Sequence, residues 1–269
     1  MTCLNISGKL VEWTSPIVMG ILNVTPDSFY DVSRCKSENQ ILQRVQQILD
    51  EGGVIVDVGG CSTRPNGEVA SEEEEWSRLE GALRLIRQSF PDIIISLDTF
   101  RATIARKAID LYDINIINDV SGGDQPMYQV AAEKHVPYVL TYTREVDSNN
   151  VMTIMSDMID FFERKLDKLH QMGVCDVILD PGFGFGKSTQ QNLIILRHLS
   201  DLQVLNVPIL AGISRKSMIW KTLNTDPAHA LTGTIAATML ALEQGSLIVR
   251  AHDVLDTQQT IQIYQQTLC

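Results

Sequence analysis

The sequence lacks the features of secreted, membrane and nucleic-acid-binding proteins. Its five cysteines are odd in number and scattered without a CxxC pair, a usage typical of a reducing compartment rather than of a disulfide framework. No apolar run approaches the roughly 18 residues of a membrane span, and the amino terminus carries no apolar leader segment. Basic residues number 22 against 33 acidic ones, and a net charge of -11 gives neither nucleic acid nor an anionic membrane a reason to bind. These absences predict a soluble, cytoplasmic protein.

Short apolar runs recur along the whole chain, each followed by a polar or glycine-containing turn. They lie at 17–23, 54–60, 93–99, 114–120, 138–142, 177–182, 208–214 and 247–253. Runs this short and this continuously apolar are typical of parallel strands buried on both faces. Helical periodicity lies between them, at 40–52, 71–88, 125–134, 153–172, 190–200, 228–244 and 256–266. Ser71 and Glu74 have capping-box spacing at the start of the second helix.

Strands that alternate with helices give either an open doubly wound sheet or a closed barrel. Eight strands in 269 residues favour an α/β fold of the (β/α)8 TIM-barrel type, as a single domain spanning 1–269. Polar residues at the strand ends favour it further: Asn23, Asp57, Asp98, Asn118, Thr141, Asp180, Ser214, Arg250 and His252. Any one of these alone is typical of a turn or a cap. As a set they indicate an active site, because the carboxyl ends of barrel strands converge on one face.

The last two strand ends carry most of the basic chemistry. Arg250 and His252 are two residues apart, hence on one side of the eighth strand, which suits an anion clamp. Arg215 and Lys216 follow the seventh strand, where they form either a solvated charge pair or an anion or aromatic-ring site. The histidines show no metal-ligand spacing, so no protein-built zinc site is expected.

Carboxylate and amide groups end three other strands, at Asp98, Asn118 and Asp180. Together they can satisfy the amino, imino and carbonyl edge of a pterin or purine-like ring, although buried structural hydrogen bonds would also explain them. Phe183 and Phe185 lie between glycines in the loop after the sixth strand. Aromatic rings in such a loop need a packing partner, and a planar ligand is one candidate.

Seven segments of the sequence resemble the signatures of one enzyme family, the dihydropteroate synthases. They occur in the family's order, one at each of seven strand ends: MGILNVTPDSF (19–29), STRP (62–65), LDTF (97–100), IIND (116–119), DPGFGFGK (180–187), GISRKS (212–217) and VRAHDV (249–254). The resemblance implies a pterin-binding barrel that joins 4-aminobenzoate to 6-hydroxymethyl-7,8-dihydropterin diphosphate in folate biosynthesis. It also implies a homodimer.

The resemblance further implies a role for each matching residue. The pterin would be held by Asp98, Asn118, Asp180 and Lys216, and the diphosphate by Asn23, Arg64, Arg250 and His252. Mg²⁺ would bind Asn23 and the diphosphate oxygens. The 4-aminobenzoate would meet Thr63, Phe185, Lys216 and Ser217. Catalysis would rest on Asp98, Lys216, Arg250 and His252, and the loops around Asp31 and 63–65 would close over the substrates.

The chain departs from the family pattern in a few places. Cys61 and Asn66 flank STRP where glutamate and glycine are usual, residues 30–32 replace Ser-Asp-Gly, and residues 141–143 replace Met-His-Met. Two alternatives therefore accompany the main hypothesis. One is a pterin-binding methyltransferase, for which the anion-binding residues would be surplus. The other is a paralogue that binds pterin without turnover.

Overall fold

The structure is a computed structural model, and it describes residues 3–24, 37–61 and 69–268. The strands within these ranges are β1 (Cys3–Ile6), β2 (Lys9–Glu12), β3 (Ile17–Asn23), β4 (Ile55–Gly59), β5 (Ile94–Asp98), β6 (Ile116–Asp119), β7 (Tyr138–Thr141), β8 (Val177–Asp180), β9 (Leu210–Ala211) and β10 (Ile248–Ala251). The helices are α1 (Glu38–Asp50), α2 (Glu72–Ser89), α3 (Ala102–Tyr112), α4 (Gln125–Lys134), α5 (Val151–Gln171), α6 (Thr189–Arg197), α7 (Ser217–Thr222), α8 (Leu231–Glu243) and α9 (Val254–Gln266). Two 3-10 helices cover Leu199–Leu205 and Pro227–His229.

Strands β3 to β10 form one parallel sheet in the order β8-β7-β6-β5-β4-β3-β10-β9. Its two ends meet, because Leu179 N–H in β8 donates to Pro208 O at 2.8 Å and Leu179 bridges Ile209 just before β9. The sheet is therefore a nearly closed barrel with helices outside it, and the fold predicted from the sequence is confirmed.

The element boundaries follow local chemistry. Helix α2 begins with the predicted capping box, in which Ser71 Oγ accepts from Glu74 N–H and the Glu74 carboxylate accepts from Ser71 N–H. The seventh barrel strand, β9, is shorter than the predicted 208–214. Pro208 has no N–H to donate to a ladder, and the chain turns where Lys216 N–H donates to Ile213 O.

The amino-terminal hairpin of β1 and β2 was not predicted, and neither was α3. The hairpin turns at Ser7 and Gly8, both with positive φ, as a type I′ turn requires. It places Leu4 and Ile6 against the amino-terminal end of the barrel interior, where they are buried. The hairpin thus covers the end of the barrel opposite the polar strand ends.

The barrel interior changes character along the strand direction. Its amino-terminal half is an apolar layer of inward side chains: Ile17, Met19, Ile55, Ile116, Val139, Ile178, Leu210 and Ile248. Two residues further along β4, β6, β7, β8 and β10, the next inward side chains are Asp57, Asn118, Thr141, Asp180 and Arg250. The apolar layer supports a polar layer at the carboxyl ends of the same strands.

Candidate active site

The polar layer contains a row of register neighbours that crosses four adjacent strands. Asn23 pairs with Gly59, Gly59 with Asp98, and Asp98 with Asn118. Gly59 leaves space between its neighbours, since a Cβ there would lie 3.5 Å from both Asn23 Oδ1 and Asp98 Cβ. Three predicted site residues therefore lie at one level of the barrel.

Arg250 connects two carboxylates of this layer. Its Nε donates to Asp57 Oδ2 and its Nη2 donates to Asp98 Oδ2, both at 2.6 Å. All three side chains lie inside the barrel, and Asp57 is fully buried. These contacts use two of the five N–H groups of the guanidinium, so others remain to bind an anion.

Asn118 lies beside the same carboxylate. Its Nδ2 is 3.2 Å from Asp57 Oδ1 and 3.1 Å from Asp57 Oδ2. Within the described chain its Oδ1 has no hydrogen-bond partner although it is buried, and the same holds for Ser96 Oγ and Thr141 Oγ1 on the neighbouring strands. Unpaired buried polar atoms are costly, so a group of them inside a barrel mouth indicates a ligand that supplies the missing hydrogen bonds.

Asp180 and Lys216 are two further charged groups of the layer. Asp180 Oδ1 accepts from Gly182 N–H at 2.7 Å, and Lys216 Nζ donates to Phe183 O. Burial raises the pKa of Asp180, while Lys216 acts against this rise. Burial lowers the pKa of Lys216 to about 8, and the Asp180 charge partly offsets that effect.

The glycine-rich loop after β8 is held in an unusual conformation. Gly182 has φ +66, and a Cβ there would lie 2.0 Å from Tyr142 O, so no other residue fits. Lys187 fixes the loop by donating to three carbonyl oxygens, those of Tyr142, Gly182 and Phe185, at 3.0, 2.9 and 2.8 Å. This role for Lys187 was not predicted.

The two aromatic rings of this loop have different surroundings. Phe183 is buried in the outer core, so its ring needs no ligand to pack against. Phe185 is partly exposed, and Lys216 Nζ lies 5.1 Å from the centre of its ring. Phe185 and Lys216 therefore form one wall of the site, with the partly exposed Ser217 next in the chain.

His252 is held beside the loop that carries Lys216. Ser214 Oγ lies 3.2 Å from the His252 backbone N–H and 3.1 Å from His252 Nδ1. The Ser214 hydroxyl therefore contacts both the backbone and the ring of His252 and fixes the orientation of the imidazole. Burial and the charges of Arg250, Arg44, Arg215 and Lys216 lower the pKa of His252 to about 3. His252 is thus a neutral hydrogen-bonding group of the clamp.

Arg215 does not lie in the anion site that its sequence position allowed. Its Nε and Nη2 donate to Asp253 at 2.8 and 2.9 Å, and its Nη1 donates to Pro227 O and Ala228 O, both at 2.8 Å. The residue is 7% exposed and has φ 53. Arg215 is therefore a structural tie between the loops after β9 and β10, which carry Lys216 and His252.

Asp98 has charged neighbours of both signs. Burial raises the pKa of its carboxyl to about 7; Arg250 and Lys216 act against this rise, whereas Asp57 and Glu75 add to it. Glu75 in α2 is itself buried and accepts from Thr99 Oγ1 at 2.6 Å and from Arg101. Asp98 therefore lies among two other carboxylates and two cations.

Most of the predicted site residues meet at this end of the barrel. Asn23, Asp98, Asn118, Asp180, Phe185, Lys216, Ser217, Arg250 and His252 all lie at its carboxyl-terminal end. Thr63 and Arg64 lie outside the described residues, as do 30–32 and 63–65. Asp57 and Ser214 were noted only as strand ends, and they prove to hold Arg250, Asn118 and His252 in place. Their alternation with apolar inward residues of the same strands was the signal that could have assigned them to the barrel interior.

Comparison with known proteins defines the class first. Residues 19–252 match the family described as pterin binding enzyme. The chain therefore belongs to the pterin-binding enzymes. Its matched segment begins in the first barrel strand and ends at His252.

Relatives and solved structures then narrow the class. A dihydropteroate synthase from Clostridium beijerinckii is 40% identical over 244 residues, 89% of this chain and 89% of its own length. The Escherichia coli K12 dihydropteroate synthase is 34% identical over 97% of this chain and 95% of its own. A Yersinia pestis dihydropteroate synthase, solved with a sulfonamide drug complex, superposes with a TM-score of 0.92 at 34% identity and covers 99% of both chains. The chain belongs to the dihydropteroate synthases, and the resemblance seen in its sequence is confirmed.

The described residues contain neither a membrane-spanning helix nor a cluster of metal ligands. Their helices include none long and apolar enough to cross a membrane. Residues 3–24, 37–61 and 69–268 contain no group of three or more His, Cys, Asp or Glu side chains placed to hold a metal ion.

Proposed function

We propose that this chain condenses 6-hydroxymethyl-7,8-dihydropterin diphosphate with 4-aminobenzoate to give 7,8-dihydropteroate and diphosphate. The observation that carries the proposal is the polar layer itself. Buried hydrogen-bonding groups that have no partner within the described chain lie at the end of the barrel that also carries Arg250, Lys216 and His252, where this family's motifs fall. A flat polar heterocycle that carries an anionic group fits both halves of that set.

The pterin ring would lie between the carboxylates of Asp98 and Asp180. Asp98, Asn118, Asp180 and Lys216 offer acceptors and one donor around the barrel mouth, which matches the amino, imino and carbonyl groups of a pterin edge. Solved relatives are consistent with such ligands. A Coxiella burnetii dihydropteroate synthase, 31% identical with a TM-score of 0.90, was solved in complex with pteroic acid.

The diphosphate would bind Asn23, Arg64, Arg250 and His252. Arg250 keeps N–H groups beyond those given to its carboxylates, and Ser214 holds the ring of His252 at the same end of the barrel. The positive charges of Lys216 and Arg250 attract the diphosphate, which the net charge of -11 would otherwise repel.

Asn23 suits Mg²⁺ as one ligand among several. Its amide oxygen lies over Gly59 at the row of strand ends, and Mg²⁺ in phosphate sites takes one or two protein oxygens together with water and phosphate oxygens. Since the described residues hold no cage of three acidic or histidine ligands, the ion would bind together with the diphosphate. When bound it would offset the charge of the leaving diphosphate. Calorimetry should accordingly find Mg²⁺ binding only when diphosphate is present.

The 4-aminobenzoate would lie against Phe185 and Lys216, with its carboxylate toward Ser217 and Thr63. Phe185 offers a partly exposed ring face, and Lys216 offers a cation at its edge. A Xanthomonas albilineans dihydropteroate synthase, 32% identical with a TM-score of 0.87, was solved with 4-aminobenzoic acid.

The chemistry requires charge stabilisation rather than a protein nucleophile. The C–O bond between the pterin methylene and the diphosphate breaks, and Arg250 and His252 take up the charge of the leaving group. Asp98 faces the resulting cation, the amine nitrogen of 4-aminobenzoate forms the new C–N bond, and that nitrogen then loses a proton. Closure of the loops around Asp31 and 63–65 would exclude water, which competes for the cation. An Asp98→Asn variant with near-normal turnover would remove Asp98 from this role.

The decisive experiment follows pyrophosphate release from the dihydropterin diphosphate, with and without 4-aminobenzoate, in Mg²⁺. Release coupled to dihydropteroate formation supports the proposal. Pterin binding without turnover would instead identify a non-catalytic paralogue, and binding of a corrinoid would favour the methyltransferase. The comparisons favour neither alternative, since the named relatives are dihydropteroate synthases.

The remaining parts of the proposal concern partners and location. The chain would act on small molecules in the cytoplasm, without nucleic acid or membrane, and would form a homodimer. Sedimentation of the purified chain over a range of concentrations tests the last point, and a single monomeric species throughout would reject it.

A further inference from the structure

The side chains of Arg250, Asp57 and Asn118 form a chain of hydrogen bonds inside the barrel. Arg250 Nε donates to Asp57 Oδ2 at 2.6 Å, which fixes the plane of the Asp57 carboxylate. Both oxygens of that carboxylate then contact Asn118 Nδ2, at 3.2 and 3.1 Å. Asp57 is fully buried and Asn118 is 1% exposed, so water does not compete for these hydrogen bonds.

This chain of hydrogen bonds determines which way the amide of Asn118 faces. The Asp57 carboxylate accepts from Arg250 Nε and lies with both oxygens within reach of Asn118, so the donating nitrogen of the amide lies on the Asp57 side. The oxygen then lies on the opposite side, where it is buried and has no partner within the described chain. A buried acceptor left in this state is unfavourable, and a ligand donor would remove that cost.

We propose that Asp57 is a positioning residue for substrate recognition: it holds Asn118 with its amide oxygen toward the ligand, so that this subsite takes a hydrogen-bond donor of the ring and rejects an acceptor. The inference rests on the proposed pterin site and adds a residue that determines its specificity. Asp57 acts through Asn118 and does not itself contact the ring.

The test compares two rings that present opposite hydrogen-bonding groups at positions 1 and 2. Pterin carries a 2-amino donor beside an N1 acceptor, and lumazine carries a 2-carbonyl acceptor beside an N1–H donor. Calorimetry on the full-length wild-type chain gives the ratio of the two affinities, and the same ratio is measured for Asp57→Asn. A neutral amide at this position can turn either edge to Asn118, so the amide of Asn118 is free to flip. We expect the preference for pterin to fall at least about tenfold, the factor for about 1.4 kcal/mol.

Asp119→Asn is the matched control. Asp119 is equally buried and adjacent to Asn118 in the chain, but it faces the outer side of the sheet, where it accepts from Tyr138 Oη at 2.5 Å and Ser121 N–H at 2.8 Å. This variant should lower the melting temperature and leave the pterin-to-lumazine ratio unchanged. A folded Asp57→Asn chain with the wild-type ratio overturns the proposal.

A structure of the wild-type chain with pterin tests the same point without a variant. The proposal requires a ring N–H or NH₂ group about 3 Å from the Asn118 oxygen, on the side remote from Asp57. A ring acceptor in that position would overturn it even if Asp57→Asn failed to fold.

Failure of this inference is distinguishable from failure of the proposed function. Ring binding is measured without 4-aminobenzoate and needs no turnover. If the wild type releases pyrophosphate normally and Asp57→Asn keeps the wild-type ring preference, the inference alone is rejected. No release by the wild type, with a lost preference in Asp57→Asn, rejects the synthase reaction and supports the inference.

Discussion

The two layers of the barrel interior are built by the same strands and obey opposite rules. In β6, Ile116 and Asn118 point inward two residues apart; Ile116 packs in the apolar layer, and Asn118 Oδ1 has no partner within the described chain. In β10, Ile248 and Arg250 repeat the contrast. The apolar layer gains stability from burial, whereas the polar layer holds charges and unpaired atoms whose burial is costly without a ligand. The residues that stabilise the barrel and those of the candidate site are therefore only two positions apart along the same strand.

Arg250→Met should have the largest effect on this balance. The substitution leaves the carboxylates of Asp57 and Asp98 buried without their shared cation, which costs about 3–5 kcal/mol. Turnover should also fall by a large factor, since the diphosphate loses its main cation. Urea unfolding and pyrophosphate release measure the two effects.

Arg250→Lys is the conservative control for that experiment. An ammonium keeps the charge but cannot contact both carboxylates with a fixed fork of donors, so intermediate stability is expected. Wild-type stability in Arg250→Met would show that the polar layer is not strained by its charges.

Asp98→Asn should change the pH dependence of stability. Burial first, then Asp57 and Glu75, raise the pKa of Asp98 from 3.8 to about 7 against the opposing effect of Arg250 and Lys216. The folded chain thus holds this proton more tightly than the unfolded chain, so the free energy of unfolding falls as pH rises from about 4 to about 7. The contribution lost over that window is at most about 4 kcal/mol. Asparagine imitates the protonated form and should remove this slope.

Urea titrations of both proteins between pH 4 and 8 test the slope. The difference in unfolding free energy should favour the variant increasingly toward pH 8. Two parallel curves would mean that Asp98 releases its proton at the same pH in the folded and unfolded chains.

Arg215→Met should show that the polar layer also depends on structure outside the barrel. It removes a bidentate pair with Asp253 and two bonds to carbonyl oxygens, which we expect to cost about 2–3 kcal/mol. The KM for 4-aminobenzoate should rise, because Lys216 and Ser217 follow directly in the same loop. Lysine at this position should restore only part of either value, and an unchanged KM in a folded Arg215→Met chain would contradict the positioning role.

The contrast between the layers explains which features could be predicted from the sequence. Strand ends such as Asp180 and Arg250 were recognisable because a polar residue interrupts a continuous apolar run at a fixed place in each repeat. The capping box at Ser71 was recognisable because its partner lies three residues away. Both signals are local: the structure confirms the capping box, and it has Asp180 and Arg250 in the last two positions of β8 and β10.

Features that depend on distant partners were not predictable in the same way. Arg215 is a cation at a loop, and its sequence neighbours do not reveal Asp253, 38 residues later, as its partner. Lys187 binds backbone carbonyls, which every residue carries and no sequence pattern marks. The hairpin of β1 and β2 consists of two strands of four residues, too short for alternation to stand out.

The smallest and most discriminating prediction compares one residue of each layer. Thr141→Val keeps the shape of a buried side chain and removes a hydroxyl that has no partner within the described chain. It should stabilise the protein by about 1 kcal/mol and weaken pterin binding, because the hydroxyl is then missing from the ligand site. Ile178→Val, in the apolar layer of the adjacent strand, should cost about 0.5–1.5 kcal/mol and leave pterin affinity unchanged.

Calorimetric melting and pterin titration of both variants give the result directly. Opposite signs in stability, with binding altered only by Thr141→Val, are the outcome that the two layers require. If Thr141→Val instead destabilised the chain and bound pterin as the wild type does, its hydroxyl would have to form a hydrogen bond within the protein. The polar layer at β7 would then contribute to the fold, as the apolar layer does, and the division between the layers would have to lie further along the strands.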